Sequence, residues 1–70
     1  MIGRLPHQRR VVDEASELAD KAAALGRFLD SQAGASLDPD ERERMKRKHW
    51  IMGAYYGVLR ERIAAFTITP

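Results

Sequence analysis

The sequence predicts an all-α protein: a two-helix antiparallel hairpin that assembles into a helical homo-oligomer. Three observations carry the prediction. Val11, Ala15, Leu18, Ala22, Leu25 and Leu29 recur at alternating spacings of four and three, the apolar seam of a packed helix. Asp38-Pro39-Asp40-Glu41 is a helix-start signal, and no proline interrupts the pattern from there to about Phe66. The second helix carries two apolar stripes, whereas packing on the first helix uses only one.

The elements follow in order. The seventy residues are read as one domain, with helix 1 over about 6–31 and helix 2 over about 39–66. Pro6 suits the first helical turn, where its missing N–H costs nothing. Ser31-Gln32-Ala33-Gly34 closes helix 1, with Gly34 expected in the left-handed conformation that ends helices. Asp38 is expected to cap helix 2, Pro39 to open it, and Glu41 to complete a capping box. Thr67-Ile68-Thr69-Pro70 reads as a frayed or extended tail.

On helix 2, Met45, His49, Met52, Tyr56, Leu59, Ile63 and Phe66 form the stripe that answers helix 1. Ile51, Tyr55, Val58 and Ala65 form the other, broken by Arg62, and a second copy of the chain is its economical partner. Gly53 and Gly57 each cost a helix about 1 kcal/mol relative to alanine. Two such costs in succession point to close contact with backbone or ligand. His49 reads as a seam histidine, Phe28 and Phe66 as hairpin packing, and Trp50, Tyr55 and Tyr56 first as core aromatics.

Size supports self-association. A chain this short buries only roughly 60% of the surface its unfolded form exposes. With no cysteine, disulfides and thiolate sites are excluded, and two histidines are too few for a convincing zinc site. Met1–Leu5 is too short for a signal peptide and no apolar run reaches membrane length, so a cytoplasmic protein without membrane contact is expected. No nucleophile stands beside a base, and there is no phosphate-cradling glycine loop or paired-carboxylate pocket. Neither an enzyme nor a cofactor is expected.

The net charge of +2 is modest, but the cations cluster. Arg4, His7, Arg9 and Arg10 crowd the start; Arg42, Arg44, Lys46, Arg47, Lys48 and His49 crowd the middle, interrupted by Glu41 and Glu43. The first cluster opens a stripe. His7, Arg10, Glu14, Glu17 and Lys21 lie at spacings of three and four, beside the seam. Two readings stand at this point. Arg10–Glu14 and Glu17–Lys21 can be i,i+4 ion pairs worth a few tenths of a kcal/mol each. Alternatively, the stripe holds a polar ligand. His7 and Lys21 are ~21 Å apart along one helix, so a small ligand touching both must bridge protomers.

The run His7-Gln8-Arg9-Arg10-Val11-Val12-Asp13-Glu14, with Glu17-Leu18, Lys21, Leu25 and Phe28, resembles a family of small phage helical-hairpin proteins. Met52, Tyr55, Val58-Leu59 and Glu61-Arg62-Ile63-Ala64-Ala65-Phe66 continue the resemblance, which covers about Pro6 to Phe66. The family comprises the cyclic-nucleotide sponges that act against CBASS and, in a related branch, Thoeris defence. The resemblance implies a homo-oligomer, typically a hexamer, that holds cyclic oligonucleotide signals between protomers without cleaving them. It implies base contacts from His7 and Gln8 and phosphate contacts from Arg10 and Lys21. It implies that Arg62 clamps a cyclic trinucleotide on a threefold axis. The Lys46–Trp50 segment is more basic than the family pattern. Two other classes stay open: an oligomerising helical adaptor using Trp50 and the tyrosines, and a nucleic-acid-binding hairpin using Arg42–Lys48. DNA binding is not expected, because the basic run is diluted by glutamates.

Overall fold

A computed structural model describes residues 5–66. The predicted tail Thr67–Pro70 and Arg4 of the first basic cluster lie outside the described residues. Three helices follow one another: α1 over Pro6–Leu29, a single-turn α2 over Gln32–Ala35, and α3 over Pro39–Phe66.

Each boundary has a local cause. Pro6 takes the first position of α1, and the Leu5 N–H donates to Gln8 Oε1 at 3.2 Å. Helix α1 stops at Leu29, two residues before the expected end, because Ser31 redirects the chain. The Ser31 hydroxyl accepts from the Gly34 N–H at 3.1 Å, capping α2, and itself donates to the Phe28 carbonyl. Capping by Asp38 is as expected: its Oδ2 accepts from the Asp40 and Glu41 amides at 3.1 and 3.3 Å.

Two expectations are corrected here. Gly34 is not left-handed; among the described residues no glycine has a positive φ. It is glycine for want of space, since a Cβ there would meet the Phe28 carbonyl oxygen and lie 2.8 Å from Leu29 Cα. Glu41 does not complete a capping box. Its carboxylate turns forward and accepts from Arg44 Nε at 2.8 Å, an ion pair one turn along the helix.

Helices α1 and α3 run antiparallel. His7 lies against Phe66 at one end, Gly26 against His49 further along, and Leu29 against Arg42 at the other end. All seven residues of the expected α3 stripe, from Met45 to Phe66, are half-buried or buried, as are all six of the α1 seam. Val11, Ala15 and Leu59 form the centre of the core, with Leu18, Tyr56, Ile63 and Phe66 packed around it.

The hairpin measures 51 × 19 × 14 Å, a single layer of helices. A single layer has nothing to cover its broad sides, so among the described residues only Val11, Ala15, Leu29 and Leu59 are buried hydrophobics. Ile51, Val58 and Tyr55 are 58%, 52% and 44% exposed. Trp50, expected first as core, is 76% exposed, because it lies outside the seam.

Candidate ligand-binding face

The seam fixes two faces of the hairpin. On α1, Arg10, Glu14, Glu17 and Lys21 each stand one residue before a seam position; on α3, Ile51, Tyr55, Val58 and Arg62 do the same. In an antiparallel pair of right-handed helices, the flanks preceding the two seams fall on one face of the hairpin. The following flanks fall on the other. The opposite face bears this out: a cleft of about 250 Å³ joins Gly26 of α1 and its C-cap Asp30 to Lys46 of α3, all three standing one residue after a seam position.

The polar stripe of α1 and the second apolar stripe of α3 therefore share one surface. Register follows from the His7–Phe66 and Gly26–His49 contacts. Arg62 lies level with the turn of α1 that carries Arg10, and Tyr55 lies within a turn of the level of Lys21. Arg10, Lys21 and Arg62 are all exposed. Ile51, Tyr55 and Val58 form an exposed apolar strip alongside. This is an amphipathic face: apolar surface for flat groups, with Arg10 and Arg62 at one end, Lys21 toward the other, and the carboxylates of Glu14 and Glu17 between them on α1.

The predicted site residues divide. His7 sits at the open end of the hairpin, exposed, its ring edge-on to Phe66. Arg10, Lys21 and Arg62 come to this one side, while His7 lies at the end of the seam itself. Gln8 does not reach this side, because it stands on the following flank of α1 and its side-chain oxygen accepts from the Leu5 amide. The ion-pair reading of the stripe is not realised either. Among the described residues, the ion pairs within 4.0 Å are Arg44–Glu41 and Lys46–Glu43, both on α3. Neither Arg10–Glu14 nor Glu17–Lys21 forms one.

Sequence reasoning placed Ile51, Tyr55 and Val58 at a protein interface without placing them beside Lys21. The signal was present in the shared offset of one residue before each seam position. The cleft of the opposite face was missed altogether. Gly26, Leu29, Asp30, Arg42, Lys46 and His49 line it. There Arg42 Nη2 donates to the Leu29 carbonyl at 3.3 Å, satisfying an orphan acceptor at the end of α1, while Nη1 is buried without a partner. His49 Nε2 approaches Gly26 so closely that a Cβ there would lie 3.1 Å away.

Among the described residues no group of His, Cys, Asp or Glu is arranged to hold a metal ion. No helix of the described chain is long and apolar enough to cross a membrane.

Fold and surface define a small helical hairpin whose broad amphipathic face is open to a partner or ligand. The chain belongs to the Sequestin family, whose model matches residues 5–65. No curated protein and no solved structure matches it significantly.

Proposed function

We propose that this protein sequesters cyclic oligonucleotide second messengers, cyclic dinucleotides and in addition cyclic trinucleotides, and blocks the CBASS-type signalling of a phage-infected host without cleaving the messenger. The observation that carries the reading is the gathering of Arg10, Lys21 and Arg62 on the face that also exposes Ile51, Tyr55 and Val58. A cyclic oligonucleotide has the same two-part chemistry, an anionic phosphodiester ring and flat bases. The family name is compatible with sequestration.

In this mechanism Arg10 and Lys21 hold phosphate oxygens by charge-assisted hydrogen bonds, stronger than neutral ones. His7 reaches a base at the open end. Arg62, repeated about a threefold axis, clamps a trinucleotide ring. Because His7 and Lys21 are ~21 Å apart along α1, one ligand that uses both lies between protomers. Ile51, Tyr55 and Val58 supply the surface on which a second copy closes the pocket, and the resulting homo-oligomer is a hexamer. Sequestration needs no catalyst: the messenger is removed from its effector by tight binding alone.

The test is recovery of the ligand. The purified protein is incubated with a cyclic dinucleotide, separated from free ligand, and then heat-denatured. Release of the intact cyclic dinucleotide in proportion to protein supports the proposal. Release of linear or hydrolysed product, or of no ligand, overturns it.

A further inference from the structure

The side of α3 that points away from α1 carries a pattern unused by the ligand-binding reading. Trp50 projects from it, 76% exposed, more than any other large hydrophobic of the described chain. One and two turns further on, Gly53 and Gly57 have nothing within 4 Å of the place a Cβ would occupy. Neither glycine is explained by packing within the hairpin, and each costs the helix about 1 kcal/mol against alanine. A projecting indole thus stands next to a notch that could receive one.

The charges on the same stripe are arranged to match. Lys46, at the rim of the cleft it shares with Gly26 and Asp30, lies one turn before Trp50, and Glu61 one turn after Gly57. Lys46 makes only a long ion pair with Glu43, at 3.5 Å, and Glu61 makes none within 4.0 Å among the described residues. The order Lys46, Trp50, Gly53 is spaced by four and three; Ala54, Gly57, Glu61 is spaced by three and four. The stripe is therefore palindromic about the point between Gly53 and Ala54, and knob matches notch as cation matches anion.

We propose that this stripe is a twofold interface with a second copy of the same chain, two α3 helices crossing antiparallel midway between Gly53 and Ala54. In that register Trp50 of each copy fills the notch at Gly57 of the other, and Lys46 meets Glu61 of the other. An isologous contact requires this reciprocity, in which residue i meets j and j meets i. Tryptophan is among the residues that most often anchor such contacts. An unrelated partner would have no reason to find knob and notch, or both charges, mirrored about one point. The contact is distinct from the face carrying Lys21 and Tyr55, and it stands whether or not a cyclic nucleotide binds there.

The chain lacks cysteine, so a single introduced thiol reports proximity without interference. Ala54 is exposed and adjoins the proposed axis, whereas Glu43 would lie about 30 Å from its own counterpart in this register. Under mild oxidation in dilute solution, Ala54→Cys should form a disulfide-linked dimer about tenfold faster than Glu43→Cys, since a disulfide needs closely placed Cα atoms. Adding Gly57→Leu, whose Cβ would have no heavy atom of the hairpin within 4 Å, should fill the notch and abolish that advantage while circular dichroism stays helical. Equal rates for the two thiols, or a fast Ala54→Cys reaction indifferent to Gly57→Leu, would overturn the interface.

Discussion

His7 meets Phe66 edge-on, with ring centroids 6.5 Å apart and planes at 85°. The first turn of α1 is thereby tied to the last turn of α3, closing the end of the hairpin farthest from the connecting α2. The same imidazole remains exposed and borders the proposed ligand-binding face. One residue therefore has a packing role and a binding role, which two substitutions separate.

His7→Ala should destabilise the protein by about 0.5 kcal/mol, the lower end for aromatic pairs because the ring is solvated. His7→Phe should restore stability through the edge contact but leave ligand affinity about tenfold reduced, as expected when one polar contact of about 1.4 kcal/mol is lost. Urea denaturation and ligand titration of both variants check this. Full affinity in His7→Phe would remove the imidazole from the site.

Arg10→Ala and Lys21→Ala should each abolish cyclic dinucleotide binding while leaving helicity and assembly unchanged, because both side chains are exposed and neither is in an ion pair. Arg62→Glu should remove trinucleotide binding alone. Sedimentation velocity beside calorimetry distinguishes these outcomes from a broken assembly. Intact dinucleotide affinity in either of the first two variants would contradict the site.

Gly34→Ala should cost about 1–3 kcal/mol, as overpacking does, because its Cβ would be driven into the backbone of Phe28 and Leu29 rather than into a mobile side chain. A thermal melt measures it. A loss below a few tenths of a kcal/mol would show that the turn between α1 and α3 is arranged differently.

Gly26→Ala places a methyl group 3.1 Å from His49 Nε2, so the imidazole must yield. Alone, the substitution should be neutral or destabilising despite a helix-propensity gain of about 1 kcal/mol. Combined with His49→Ala, the gain should reappear as a positive coupling in a double-mutant cycle. Strict additivity would mean that the two residues do not touch.

Asp38→Ala should lower stability by about 1 kcal/mol, the usual loss when a helix cap is removed. Asp38→Asn should retain most of it, since the amide oxygen can still accept from Asp40 and Glu41. Chemical denaturation of the two variants provides the comparison.

Much of this fold is legible in the amino-acid order because its determinants are local and periodic. The seam from Val11 to Leu29 and the stripe from Met45 to Phe66 announce their helices through spacing, and Pro6 and Asp38-Pro39 mark their starts. What escapes such reading depends on side-chain choice among competing partners. Glu41 could turn back to the Asp38 amide or forward to Arg44, and only the assembled helix shows that it turns forward. Gly34 reads as a conformational glycine but is a steric one, because the extra turn Gln32–Ala35 folds it against the end of α1. The stripe of α1 is legible as a stripe. Its neighbours Tyr55 and Ile51 come from the other helix, and that pairing requires the antiparallel register as well as the periodicity. Trp50 reads as core because it is large and apolar, yet it falls outside both stripes, on the side of α3 away from α1, and projects outward.

The central claim is tested most directly by calorimetric titration of the intact protein with a cyclic dinucleotide. The account predicts tight binding and loss of that heat in Arg10→Ala. No binding to any cyclic di- or trinucleotide, or a signal that survives Arg10→Ala unchanged, would contradict it.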